Sequence, residues 1–320
     1  MNFIELCCGS GGMTLGFINK GFNPIMVNDI DRLCCETIKS NFNNINVKCE
    51  SMVNIDLGKY DFDILIGGVP CQSWSYCGTC DGLDDKRGTL IIDFLRTVRK
   101  YFPKAFVIEN VKGLLTHNKG KTFKYVLAQI PNEYNIYYKI LNANDFGVAQ
   151  KRQRLFIVGV RKSIQKEYIF PQSQSYKLVL KDVLRGIPLS DGFKYSKHKF
   201  EIMRQVPEGG CWKDLPKDIQ KKYMGNAYSS SGGKTGYARR LSRNKPSPTI
   251  MTNPNQKQTE LCHPTETRPI NIIESARIQS FPDEYKFAGT IAQQYKQIGN
   301  AVPVKLSEAI AESIIKLFNS

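Results

Sequence analysis

The chain has 320 residues, 41% hydrophobic and 23% charged, which is the make-up of an ordinary folded protein with room for two domains. Lys and Arg number 45 against 29 Asp and Glu, a formal net charge of +16, and that excess points to a polyanionic partner such as nucleic acid. No apolar run approaches the ~20 residues that span a bilayer, and the first residues carry no basic stretch ahead of an apolar one, so neither a membrane segment nor a secretory leader is expected.

The chain opens with an apolar run at residues 3–6, read as a strand. Cys7-Cys8-Gly9-Ser10-Gly11-Gly12-Met13 follows, then a helical stretch. Strand, glycine-rich turn and helix is the opening of a nucleotide-binding α/β unit, because glycines let the backbone approach a ligand. The spacing is neither the dinucleotide GxGxxG nor a phosphate-cradling loop with Lys-Ser/Thr. A second strand, residues 24–29, ends in Asp29, where a carboxylate can accept both hydroxyls of a ribose or instead cap the next helix. Residues 47–50 form a weaker third strand ending in Glu50. Three such ends in succession suggest an adenosine pocket without pyrophosphate.

Residues 63–72 organise the rest. An apolar run ends in Gly67-Gly68-Val69-Pro70, so Cys71 is presented at a strand's carboxyl end, where reacting groups collect in open α/β sheets. A cysteine there is a candidate nucleophile, with a buried structural thiol as the bland alternative. A long polar loop, residues 72–88, then leads to a helix beginning near Thr89. It has the length of a lid. The next buried run, residues 105–108, ends in Glu109, either a second catalytic carboxylate or a helix cap. Residues 136–141 and 155–160 read as a hairpin-like return. Period-2 alternation between them puts Arg152 and Arg154 on one face, either inward as part of a site with the thiol and the carboxylate or outward as a solvated basic edge.

From about residue 176 to 289 the chain turns irregular and basic, with 20 Lys and Arg against 11 Asp and Glu. Asn, Gln, Lys and Arg, the residue types that read base edges, cluster at 229–240 and 252–260. An amphipathic helix over residues 304–318 is expected to return to the first domain. Ten cysteines, with Cys7-Cys8 and Cys34-Cys35 adjacent, do not suggest a disulfide framework; reduced thiols of a cytoplasmic protein are expected. The single CxxC, Cys77 to Cys80, lacks a second pair and the chain has only three histidines, so no metal is expected.

In order along the chain stand FIELCCGSGGMTLGF at 3–17, GGVPCQS at 67–73, IENVKG at 108–113, QKRQR at 150–154, RIQSFPD at 277–283 and IGNAVPV at 298–304. Together they resemble the DNA (cytosine-5)-methyltransferase family, in its compact prokaryotic restriction-modification form, across essentially the whole chain. The resemblance implies an α/β fold, with an S-adenosylmethionine-dependent, Rossmann-like and mostly parallel sheet in residues 1–175 and 290–320. A smaller irregular DNA-recognition domain would occupy 176–289. It implies Cys71 as nucleophile, Glu109 as catalytic carboxylate, and Arg152 and Arg154 lining the base pocket.

By the same resemblance Leu6, Cys7, Gly9, Gly11, Gly12, Met13, Asp29, Ile30, Glu50, Pro70, Asn300 and Val302 belong to the S-adenosyl-L-methionine pocket, which releases S-adenosyl-L-homocysteine. Ser73, Lys86, Arg87, Lys234, Arg239, Arg240, Lys257 and Thr267 are expected to touch DNA. The sequence departs from the family at Glu50, where aspartate is usual, at Met13 and Ile30, where some members carry aromatics, and at Ile273. The implied partner is double-stranded DNA, flipped one base at a time. A cognate endonuclease that forms no stable complex with the enzyme, a monomeric state and a prokaryotic cytoplasmic location complete the expectation. An RNA (tRNA) cytosine-5 methyltransferase is the alternative.

Overall fold

The apolar runs marked above form one seven-stranded sheet in the computed structural model, which describes residues 1–70, 90–188, 190–231 and 234–319. The strands are β1 (Asn2–Leu6), β2 (Asn23–Asp29), β3 (Val47–Cys49), β4 (Ile64–Gly67), β5 (Ala105–Val111), β6 (Tyr134–Asn142) and β7 (Gln153–Arg161). Their order is β3-β2-β1-β4-β5-β7-β6. The first five run parallel; β7 inserts antiparallel between β5 and β6. The expected mostly parallel α/β sheet is therefore present.

Near-continuous apolar strands need cover on both faces. Phe3, Ile64, Ile66, Val107, Phe156 and Val158 point to one face; Ile4, Leu65, Phe106, Ile108, Leu155 and Ile157 point to the other. The helices are α1 (Gly12–Asn19), α2 (Arg32–Asn41), α3 (Leu90–Tyr101) and α4 (Lys121–Ala128), then α5 (Leu180–Val183), α6 (Lys197–Met203), α7 (Lys217–Met224) and α8 (Ile272–Ile278), and finally α9 (Ile291–Asn300) and α10 (Val304–Asn319). Phe17 of α1 and Leu306, Ile310 and Ile314 of α10 cover the first face; Phe94 and Val98 of α3 and Val126 of α4 cover the second. None of the described helices is long and apolar enough to cross a membrane.

Residues 176–289 contribute short helices and isolated bridges, without a strand ladder among the described residues. They hold a small core around Met203, Val206, Trp212, Tyr223 and Cys262. A further cluster joins Leu241, Ile250, Leu261 and Ile270 to Tyr295 and Ile298 of α9, across residue 290. The end of the chain closes back on its beginning. Gly16 packs so tightly that a Cβ would stand 2.4 Å from that of Ser307. The Tyr285 hydroxyl donates to the Ser10 carbonyl at 2.6 Å and the Thr37 hydroxyl to Gln297 Oε1 at 2.6 Å.

Candidate active site

Parallel strands deliver their carboxyl ends to one edge, and antiparallel β7 begins at that same edge. A cavity of about 660 Å³ opens there, within the range of small-molecule sites. Its floor is the turn after β1. Cys7 and Gly9 both adopt positive φ, at 56° and 53°, and a Cβ on Gly9 would meet nothing within 4 Å. The Gly9 N–H donates to Asp29 Oδ2 at 2.7 Å, and the Asp31 N–H to Asp29 Oδ1 at 2.9 Å. Asp31, not Asp29, caps α2, accepting from the Leu33 N–H at 3.0 Å. Burial raises the Asp29 carboxyl above its usual range, opposed by these backbone hydrogen bonds.

Glu5, on β1, also lines the cavity; it is buried and accepts from the Thr14 hydroxyl at 2.5 Å. Burial pushes it up to about 8, with the Thr14 bond opposing and Asp29 adding to the rise. Met13, Met52 and Val302 supply apolar wall, while Ile30 is 73% exposed at the lip. Lys296 stands on the rim, 3.6 Å from Asp31.

At the other end Glu109 leaves β5 with its carboxylate paired to Arg154, Nε to Oε1 2.9 Å. In the β5–β7 register Glu109 faces Phe156 and Val111 faces Arg154, so the pair is a diagonal contact that a long arginine spans. Burial raises the Glu109 carboxyl above its usual range, against the lowering pull of Arg154 and Arg152. Arg152 is 2% exposed and donates to the carbonyls of Ile250, at 3.3 Å, and Asn300, at 3.5 Å. Its Nε has no partner among the described residues. Burial first, then the Arg154 guanidinium, lowers its pKa, and Glu109 opposes them. The Asn110 amide donates to the Val69 carbonyl at 3.0 Å, tying β5 to the turn that ends in Pro70. A Cβ on Gly68 would lie 3.7 Å from Glu109 Oε2.

Cys7, Gly9, Met13, Asp29, Ile30, Pro70, Asn300, Val302, Glu109, Arg152 and Arg154 thus share one cavity. Leu6, Gly11, Gly12 and Glu50 do not line it. Leu6 lies in the core. Gly11 and Gly12 serve packing: a Cβ on Gly12 would stand 2.1 Å from the Val302 carbonyl oxygen, and one on Gly11 2.4 Å from Ile38. Glu50 is exposed; its carbonyl accepts from the Asn28 amide at 2.6 Å, and Ser51 and Met52 line the cavity in its place. The nucleophile candidate Cys71, with Ser73, Lys86 and Arg87, lies outside the described residues, as does the CxxC.

Arg240, expected on DNA, is corrected. It is 6% exposed, and its guanidinium donates to the carbonyls of Met203, Val206, His263 and Glu266 and to the Thr267 hydroxyl. A buried cation so fully satisfied braces the small core, and it holds the Thr267 hydroxyl at 3.0 Å. Arg239 and Lys234 are half-buried and bonded to the Thr235 and Tyr228 carbonyls. Lys257 is exposed, its ammonium 5.0 Å above the Tyr223 ring.

The residues matched by the profile of C-5 cytosine-specific DNA methylases are 1–316. The chain belongs to this family. The type II methyltransferase M.Sau96I of Staphylococcus aureus is 45% identical over 99% of this chain and 76% of its own length. M.Eco47II of Escherichia coli is 44% identical over 99% of this chain and 79% of its own. A crystal structure designated a DNA modification methyltransferase of an E. coli prophage superposes with a TM-score of 0.76 over 100% of both chains, at 25% identity. The Spodoptera frugiperda DNMT2 fold superposes with 0.72, at 14% identity, over 100% of this chain and 99% of its own.

This methylase is therefore a DNA (cytosine-5)-methyltransferase of the restriction-modification kind. Its family depends on S-adenosylmethionine, and the cavity suits that ligand. The open Gly9 cradle leaves room for a ligand against the backbone, and the Asp29 carboxyl beside it can accept from a ligand's hydroxyls. Sequence reasoning missed Glu5, Asn110, Ser51, Met52 and residues 249–252, all of which line the cavity. Asn110 carried a signal, its place in the strand-end motif beside Glu109; residues 249–252 carried none. Among the described residues no cluster of three or more His, Cys, Asp or Glu could hold a metal.

Proposed function

We propose that this methylase modifies carbon 5 of a cytosine within a short specific sequence of double-stranded DNA, the base being flipped into the cavity and attacked by Cys71. The observation that carries the reading is the Glu109–Arg154 pair, 2.9 Å apart, in the same cavity as Asp29, Gly9 and Pro70. Flipping costs a few kcal/mol of unstacking, which contacts in a closed pocket offset. Cys71 adds as thiolate to carbon 6, forming a C–S bond and pushing electron density toward carbon 5, nitrogen 3 and the ring carbonyl. Glu109 is biased toward its protonated form and can hydrogen-bond nitrogen 3. Arg154, which lines the cavity beside Glu109, stabilises the charge that develops on the carbonyl oxygen, and Arg152 adds its charge from behind. S-adenosylmethionine, when bound by the glycine turn, Asp29, Ile30 and the Asn300–Val302 stretch, supplies an electrophilic methyl group. Loss of the carbon 5 proton then expels the Cys71 thiolate.

In this reading residues 1–175 and 290–320 form the catalytic domain and 176–289 the recognition domain. Lys234, Arg239 and Lys257 are its DNA ligands, together with Ser73, Lys86 and Arg87, which lie outside the described residues. The enzyme works as a cytoplasmic monomer and protects DNA from an endonuclease that acts separately; relatives designated type II methyltransferases support the methyl-transfer part of this reading. The test is transfer of labelled methyl from S-adenosylmethionine to unmethylated genomic DNA and, in parallel, to total RNA, followed by bisulfite sequencing. Label at cytosine carbon 5 in one repeated DNA context is expected. Label in RNA alone would replace this reading by the RNA one.

A further inference from the structure

A second cavity, of about 350 Å³, shares Arg154 and Thr249 with the first. Its other walls are Lys112, Asn142, Lys151 and Gln153. Alternation along the chain explains the pairing of the two cavities. Gln150 and Arg152 are buried and Arg154 lines the first cavity, while Lys151 and Gln153 between them are exposed. Asn142 stands opposite Gln153 in the β6–β7 register, and Lys112 follows Val111, which stands opposite Arg154. The strand ends that build the catalytic pocket inward therefore present amides and ammonium groups outward.

The Lys151 backbone is fixed on both sides: its N–H donates to the Ser247 carbonyl at 2.8 Å and its carbonyl accepts from the Thr249 hydroxyl at 3.0 Å. Among the described residues Lys112 Nζ makes a 3.4 Å contact with Gln153 Oε1. No acidic side chain lines the cavity among the described residues. Two ammonium groups and two amides, beside an arginine whose Nε is already committed to Glu109, make a donor set for phosphate oxygens. A merely solvated basic edge would not be concave, nor would it share a wall with the catalytic cavity.

We propose that this cavity is a backbone-phosphate subsite, holding the phosphodiester next to the target cytidine while its base occupies the first cavity. The proposal rests on the DNA reading above. Arg154 is the shared wall, so seating of the backbone and seating of the base are brought into register through one guanidinium.

The test is a salt series of fluorescence-anisotropy titrations. Fluorescein-labelled unmethylated genomic duplex is the probe, and the wild type is compared with the Lys112→Gln, Lys151→Gln double variant. A matched control carries Lys162→Gln, beyond the far end of β7, and Lys316→Gln on α10. Cofactor binding by calorimetry verifies the fold of each protein. The double variant is expected to lose about one from the slope of log K against log salt for each lysine removed, and to raise the KM for DNA about tenfold at physiological salt. The control pair keeps the wild-type slope.

An unchanged slope in the double variant overturns the subsite, as does an equal fall in the control pair. If inorganic phosphate binds the wild type but not the double variant while the DNA slope stays unchanged, the cavity is a free-anion site and the proposal falls. Because the slope is read from binding, it stands apart from the methyl-transfer assay that tests the DNA reading. A wild type that transfers methyl groups beside an unaffected double variant sinks the subsite alone.

Discussion

Two carboxyl groups of this cavity are held where water would not leave them. Glu109 is kept toward its neutral form by burial against two opposing guanidinium groups. Glu109→Gln keeps the shape and removes the transferable proton, so kcat should fall by about 10²–10³. Cofactor binding by calorimetry should persist, and a kcat within threefold of wild type would remove Glu109 from the chemistry. Glu5 is raised from 4.5 to about 8. A carboxyl raised in the folded state contributes stability fully below its unfolded value and loses it as pH climbs through the folded one. The wild type should thus lose stability, on the order of a few kcal/mol, between about pH 5 and pH 8. Glu5→Gln should flatten that loss, as urea midpoints at pH 5.5 and pH 8.5 would register.

These residues differ in how far the sequence exposed them. Arg152 and Arg154 were legible because alternation in a strand fixes a face, and both line the cavity. Glu5 was not, because an acid inside an apolar strand gives no sign of which way it is solvated. Arg239 and Arg240 are adjacent and alike in sequence. The carbonyls of Met203, Val206, His263 and Glu266, brought from residues far along the chain on both sides, turn Arg240 inward.

Among the elements, the sheet was the easiest to foresee, since buried parallel strands need continuous apolar runs. The 176–289 region was the hardest: short helices and loops pinned by single hydrogen bonds leave no period to read. Its bracing gives a prediction. Arg240→Met leaves the Val206 and His263 carbonyls without their donor and should cost about 2–6 kcal/mol, lowering the urea midpoint, whereas Arg239→Gln should weaken DNA binding and leave the midpoint near wild type. Equal midpoints for the two variants would contradict the bracing role. The joint of α1 with the α9–α10 connection gives another. Gly12→Ala drives a methyl to 2.1 Å from the Val302 carbonyl. Overpacking of that kind costs about 1–3 kcal/mol, and the displaced Val302 should weaken cofactor binding; a variant with wild-type midpoint and affinity would show that the joint yields freely.

For the molecule as a whole, the +16 charge and its density in the basic region make DNA affinity an electrostatic quantity. Between 50 and 200 mM salt the association constant should fall by ~10³ or more. A fall below tenfold in anisotropy titrations would mean that phosphates are not the main source of affinity. The closure of the chain on itself has a consequence during synthesis. The glycine turn is made about 270 residues ahead of the segments that fix it: Tyr285 holds the Ser10 carbonyl, Gln297 holds Thr37, and Val302 lies against Gly12. A nascent chain therefore carries every strand of the sheet well before it owns a finished pocket, and catalytic competence arrives abruptly with the final helices instead of growing with length.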